Sequence, residues 1–360
     1  MIDVNWVLKN VYSMTGININ PKNLMDDLVF NYFDEKIIKL SAPKGLISRI
    51  QNCIENDNYN ISNPNGSISI KEASPFSSIK KDNSLPYSFF KSNYTKPYSG
   101  RDYYRYGTKT KTIWKINKNF KVLNYLKNDE SSALICLRSN IYNCSKLNTT
   151  LLIHGSLISK NNQGILICGN SRSGKTSLML HFLEKYGADF VSDESVLVSF
   201  EGNSFIGRYV PKTIRVRFGN IVNSPLDYLL SDYNQADATQ YIDDDAIQNI
   251  IFKKAFHVDA GLAISRKQLV KTYGVCSKST VKIERIIFPE YQTTKIPKIN
   301  RINEVSALSK LEAQLRKKKT TINPIELEHY NHKIDPIWVT NILVESIQFN
   351  DPKSLDYVQF

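Results

Sequence analysis

No run of about 18 or more apolar residues occurs in the 360-residue chain, so nothing in it reads as a membrane-spanning helix. The opening Met1-Ile-Asp-Val-Asn-Trp lacks the basic end and apolar stretch of a secretory signal, and a soluble, cytoplasmic protein is expected. Cysteine is sparse. Cys53, Cys136, Cys144, Cys168 and Cys276 are scattered, odd in number and free of any C-x-x-C spacing, which argues against a zinc site or redox pair and for reduced thiols. His329 and His332 stand three apart, but two ligands without a third seldom hold a metal. No internal repeat is found, and neither helicase motifs nor an ABC-type signature occur.

What the chain does have is length, 41% hydrophobic residues and a net charge of +13. At about 100–200 residues per domain, two domains are expected. The positive charge implies attraction to an anionic partner, whether nucleotide, acidic peptide or nucleic acid. Residues 1–130 are rich in Asn, Lys, Ser and Tyr, and Pro75, Pro86 and Pro97 break any long periodic segment. Asn23-Leu-Met-Asp-Asp-Leu-Val-Phe and Leu46-Ile-Ser-Arg-Ile-Gln-Asn-Cys-Ile are expected as short amphipathic helices. Between 71 and 130 there are 13 Lys and Arg against 5 Asp and Glu, with seven tyrosines interleaved. This basic N-terminal α+β region is expected to differ from residues 131–360.

From about 131 the texture turns apolar and β-branched. Ala133-Leu-Ile-Cys-Leu, Leu151-Leu-Ile-His, Gly164-Ile-Leu-Ile-Cys, Phe190-Val and Val196-Leu-Val-Ser-Phe are bounded by Gly, Ser or Asn and read as strands. Between the third and fourth lies a helix from Thr176, with Leu178, Met179, Phe182, Leu183 and Tyr186 on one face and Gly187 at its end. Ile283-Glu-Arg-Ile-Ile-Phe-Pro predicts a further strand; Glu304–Glu312 and the stretch from Pro336 predict helices. The acidic Asp243-Asp-Asp is expected in a solvated loop or helix end.

The connection from strand to helix reads Gly169-Asn170-Ser171-Arg172-Ser173-Gly174-Lys175-Thr176-Ser177, a G-x-x-x-x-G-K-T match in the context that gives such a match meaning. Two glycines let backbone amides, including those of Ser173, Gly174 and Lys175, turn toward phosphate oxygens, and the helix adds its positive end. Lys175 is expected on the β- and γ-phosphates and the Thr176 hydroxyl on magnesium. Downstream, Phe190-Val ends in Ser192-Asp193-Glu194, placing two carboxylates where an open α/β sheet holds its ligand. One would ligate the metal and the other accept a proton from an attacking hydroxyl.

Together these residues resemble the C-terminal catalytic domain of HPr kinase/phosphorylase and the HPr-kinase-like enzymes of peptide-modifying and polysaccharide gene clusters. The resemblance spans roughly 131–315 and rests on His154-Gly155 fifteen residues before Gly169, on the loop and helix, and on Asp193-Glu194 where that family has Asp-Asp. Ile283-Glu-Arg-Ile-Ile-Phe-Pro followed by Ile299-Asn-Arg-Ile-Asn-Glu-Val-Ser-Ala-Leu adds a weaker similarity. It implies an α/β fold: a P-loop HPr-kinase/PEP-carboxykinase-like catalytic domain with a mixed sheet. The family's Glu-Ile-Arg-Gly-Leu-Gly-Ile signature would fall at Arg215-Val-Arg217-Phe-Gly219-Asn-Ile221, with Arg215 in place of the glutamate. That change argues against phosphorylase activity and against the phosphocarrier as substrate. Arg217 would stabilise the transferred phosphoryl charge, and His154 would bond near the acceptor or the acidic pair.

The leading expectation is an ATP-dependent (or other NTP-dependent), magnesium-requiring kinase acting on a peptide Ser/Thr or a small-molecule hydroxyl. The basic 71–130 segment would attract an acidic partner. A homo-oligomer is expected. A nucleic-acid-binding ATPase, motivated by Tyr94, Tyr98, Tyr103, Tyr104 and Tyr106 among cations, is the rival; a nucleotide sensor without turnover is the third reading.

Overall fold

The structure, a computed structural model, describes residues 25–32, 36–43, 47, 51, 66–72, 102–107, 112–117, 122–126, 150–222, 224–231, 261–292, 297–315, 334, 336–340 and 342–349. Its contacts divide the chain into two compact units: 1–51 with 55–144 and 321–326, and 52–54 with 145–320 and 327–360.

The first unit contains a six-stranded mixed sheet of β1 (Met25–Tyr32), β2 (Lys36–Pro43), β3 (Gly66–Glu72), β4 (Asp102–Gly107), β5 (Thr112–Asn117) and β6 (Val122–Leu126), ordered β1-β2-β3-β6-β5-β4. The helix expected at 23–30 is overturned. Met25–Tyr32 pairs antiparallel with β2 along its whole length, and eight cross-strand positions outweigh the weak helical periodicity of so short a run. Ile47 and Gln51 are helical, in the second of the two stretches expected to be helices.

The second unit is built on a nine-stranded mixed sheet: β7 (Thr150–Ile153), β8 (Gly155–Lys160), β9 (Gln163–Cys168), β10 (Asp189–Ser192), β11 (Val196–Glu201), β12 (Ser204–Arg208), β15 (Thr280–Tyr291), β16 (Lys298–Arg301) and β17 (Leu343–Phe349). A separate antiparallel pair is formed by β13 (Ile214–Arg217) and β14 (Gly261–Ile264). The helices are α1 (Lys175–Tyr186), α2 (Phe218–Ile221), α3 (Tyr228–Ser231), α4 (Arg266–Tyr273), α5 (Glu304–Glu312) and α6 (Ile337–Thr340). The acidic stretch at 243–245, the strand expected at 133–137 and His329 and His332 lie outside the described residues.

Two hairpins set the register around the site. Asn161 and Asn162 join β8 to β9 with φ of 51° and 65°, and Gly202 and Asn203 join β11 to β12 with φ of 51° and 66°. Both two-residue loops suit the right-handed twist of the flanking strands. Long β15 organises the rest. Its start pairs with β12, its later part with β17, and β9 runs parallel along its other edge.

Each sheet face is covered. On one, Ile158, Ile165, Ile167, Phe190, Ile287, Ile347 and Phe349 pack with Leu178, Met179, Phe182 and Leu183 of α1 and with residues of α2, α3 and α4. On the other, Leu157, Leu166, Val191, Phe288 and Val344 pack with Ala307 and Leu311 of α5 and Val339 of α6. At about 1.5–3 kcal/mol for each large apolar side chain buried, the four α1 residues alone anchor the helix that leaves the glycine loop. Gly187 ends it at φ 57°. The helix expected from Pro336 is a single turn, Ile337–Thr340, because Leu343 onward is taken into the sheet beside β15.

Candidate functional site

Strand β9 delivers the chain to Gly169 and α1 takes it away at Lys175, one residue before the expected helix start. The loop folds on itself: the Ser173 amide donates to the Asn170 carbonyl at 3.2 Å. Lys175 is buried, and its Nζ donates to the Gly169 and Asn170 carbonyls at 2.8 Å each. Gly174 sits at φ 97°, and a Cβ there would lie 2.8 Å from Cζ of the buried Phe349. A Cβ on Gly169 would meet the Ser173 hydroxyl at 2.6 Å. Asn170, Ser171 and Arg172 form the exposed crest, Arg172 at φ 66°. No side chain caps the start of α1, and its first turn carries no acidic residue.

Strand β10 brings the carboxylates to this loop. A bulge at Val191, where the pairing with β8 shifts register, precedes Ser192, and the buried Ser192 hydroxyl closes the turn by donating to the Ser195 carbonyl at 2.6 Å. The Val210 amide donates back to that hydroxyl at 3.1 Å. Asp193 is only 7% exposed, and Ser156 of β8 donates to its Oδ1 at 2.5 Å. Burial pushes the Asp193 carboxyl above the ordinary carboxylate range. The Ser156 bond, the charges of Lys212 and Lys175 and a hydrogen bond from the Thr176 hydroxyl oppose that rise. One carboxylate therefore lies at the first turn of α1, within reach of both Lys175 and Thr176. Glu194, at φ 61°, is more exposed and ion-paired with Lys212.

His154 is half-buried between β7 and β8, and its amide donates to the Gln314 carbonyl at 2.9 Å. Gln314, just beyond α5, reaches Asn170 Oδ1 at 3.4 Å, so one residue touches both the histidine's backbone and the loop. Arg217 ends β13 at the start of α2; there Asn220 accepts the Ser177 hydroxyl at 2.6 Å, which docks that short helix on the first turn of α1. Arg215 is exposed, alternating with buried Ile214 and Val216. Cys168 is buried, and burial pushes its thiol far up, leaving an unreactive side chain. Ser156, Lys212, Asn220, Gln314 and Phe349 come to the site through tertiary contacts alone. No local motif marks them in the sequence.

With this geometry in view, comparison with known proteins yields one curated relative: 64 residues are 41% identical to the HPr kinase/phosphorylase of Mycoplasmopsis pulmonis (strain UAB CTIP). Over that stretch the chain is similar to HPr kinase/phosphorylase. The match is 17% of this chain and 20% of that protein, so the chain spans about a fifth of the length of the curated relative it matches. A solved structure, the Hpr(Ser) kinase/phosphatase from Coxiella burnetii, aligns over 57% of this chain and 91% of its own at 12% identity, with a TM-score of 0.27. No family model matches the chain.

The residues fit a nucleoside triphosphate with magnesium. The Ser173 hydroxyl is buried in the loop with no hydrogen-bond partner, beside the α1 start that no side chain caps. Donors left over in this way suit phosphate oxygens. Thr176 and a carboxylate are the hard oxygen ligands that magnesium takes alongside phosphates and waters. Among the described residues no group of three or more His, Cys, Asp and Glu gathers that could hold a metal by itself, and no helix is long and apolar enough to cross a membrane.

Proposed function

We propose that residues 131–360 form an ATP-dependent kinase domain that moves the γ-phosphoryl group to a hydroxyl, that of a peptide Ser/Thr or a small molecule, in a tailoring or biosynthetic reaction. In this reading residues 1–130 supply the acceptor-holding region, attracting an acidic partner through their cations. One observation carries it: a buried carboxylate, Asp193, shares the first turn of α1 with Lys175 and Thr176 at the mouth of a strand-loop-helix. The similarity to HPr kinase/phosphorylase supports phosphotransfer as the chemistry.

Residues Gly169 to Ser177 would hold the triphosphate, with Lys175 exchanging its two loop carbonyls for phosphate oxygens. Thr176 and one of Asp193 and Glu194 would hold magnesium, which supplies Lewis acidity and neutralises phosphate charge. Asp193, its carboxyl lifted by burial, is a stronger base than an ordinary carboxylate and would take the acceptor hydroxyl's proton on its Oδ atoms. Arg217 would balance charge spreading over the transferred group, and His154 would orient the acceptor.

The test is transfer of label from γ-labelled ATP with magnesium to panels of peptides and small hydroxyl compounds. Label should enter one class, and Lys175→Met and Asp193→Asn should each lower transfer by roughly 10²–10⁴. Label in neither class, with the wild-type chain folded, would refute the kinase reading. ATP hydrolysis stimulated by single-stranded nucleic acid would favour the rival ATPase.

A further inference from the structure

The connection from β12 to β13, Tyr209 to Thr213, is buried at every position except Lys212. It is also pinned along its length. The Tyr209 amide donates to the Ser279 carbonyl at 2.8 Å, the Arg266 guanidinium lies 4.3 Å from the Tyr209 ring centroid, and the Val210 amide donates to Ser192 Oγ. The Lys212 amide faces the Tyr209 hydroxyl at 3.4 Å. A segment held this firmly presents one cation, and its Nζ pairs with Glu194 in the acidic turn. The Lys212 side chain is 17% exposed and that of Glu194 is 40% exposed. Seating a lysine among buried neighbours costs solvation, whereas an ion pair with a partner so open to water returns about 1 kcal/mol or less. Its charge also acts on the buried Asp193, so the acidic turn as a whole, and not packing, holds this lysine.

Its position suggests a further role. Asp193, next in the chain to Glu194, interacts with the Thr176 hydroxyl. In a loop and helix of this kind that hydroxyl belongs at the magnesium and terminal-phosphate end of a nucleotide, away from base and ribose. Lys175 and Lys212 share a further property: each ammonium rests on protein oxygens that phosphate oxygens would replace.

We infer that Lys212 is a second phosphate-facing cation of the site, reading the terminal phosphate of a nucleoside triphosphate from the β12–β13 connection while Lys175 reads the phosphate chain from the loop. The inference rests on the nucleotide reading above and adds to it the selection of triphosphate over diphosphate. On binding, Lys212 exchanges Glu194 for a γ-phosphate oxygen, which frees the Glu194 carboxylate for magnesium.

Calorimetric titration of the full chain with magnesium and either a non-hydrolysable ATP analogue or ADP provides the test. A charge-assisted contact made only to the γ-phosphate predicts that Lys212→Met weakens the triphosphate by about tenfold or more and ADP by less than about twofold. Lys212→Arg should restore most of the difference. In a Glu194→Gln background the Lys212→Met loss should persist and be no smaller, because the lysine acts on phosphate directly and no longer has an ion pair to give up. Should Lys212→Met not fold, Lys212→Gln, checked by circular dichroism, is read the same way. Equal weakening of both nucleotides, no weakening of either, or a loss that vanishes once Glu194 is Gln would overturn the inference with the nucleotide reading intact. Wild-type protein that binds neither nucleotide would overturn both.

Discussion

Replacing Gly174 by alanine tests whether the loop rests on the sheet as described. At φ 97° an L-residue is strained, at a cost of about 1–2 kcal/mol. The added methyl would also stand 2.8 Å from Cζ and 3.4 Å from Cε2 of Phe349, whose ring is 1% exposed and hemmed in by the core. Overpacking of that order costs about 1–3 kcal/mol, so Gly174→Ala should lose about 3 kcal/mol in all, a little over a hundredfold in the folding equilibrium. Urea unfolding followed by circular dichroism measures it as a lower midpoint at unchanged slope. The two contributions separate in a cycle with Phe349→Leu. Removing the ring edge should return about 1–2 kcal/mol in the alanine background and leave the backbone strain behind. A Gly174→Ala loss below about 0.5 kcal/mol, or no relief from Phe349→Leu, would refute this account of the loop.

Other substitutions address the acidic turn and the helix contact. Because burial raises the folded-state pKa of Asp193 above its unfolded value of about 3.9, its stabilising contribution is full below about pH 4 and is lost as pH rises through the folded value. Asp193→Asn, which cannot ionise, should therefore melt above wild type at pH 7, with the gap closing toward pH 4 in thermal scans; a gap independent of pH would contradict this. Ser156→Ala removes the donor to Asp193 Oδ1, so stability at pH 7 should fall by about 1–3 kcal/mol and the acid limb of phosphotransfer should move to higher pH. Ser177→Ala and Asn220→Ala each break the 2.6 Å bond between α1 and α2; their effects should be non-additive by about 1 kcal/mol, and strict additivity would deny the contact.

The strand-loop-helix was legible because three local signals agree there: an apolar β-branched run at 164–168, paired glycines before Lys175, and Leu178, Met179, Phe182 and Leu183 at helical spacing. The span of α5 and the late strand at Ile283–Pro289 could be read for similar reasons. Strand β8 escaped because Gly155 and three polar residues dilute the pattern after His154, although Ser156 within it holds Asp193. The segment at 25–32 was misread because eight residues sustain neither periodicity well, and only the partner strand decides. Lys212 could not be found from sequence. A lysine after proline looks like any loop cation until Val210 and Ser192 are seen to fasten it beside Glu194.

The floor beneath Gly174 comes from β17, which is about 170 residues downstream of the loop. During synthesis, a ribosome that has released residues up to 315 has already emitted the glycine loop, α1, the acidic turn and Lys212, yet Phe349 is still to come. Gly174 then has no floor until β17 pairs beside β15. Order of appearance along the chain thus makes the glycine loop early in translation and late in completion.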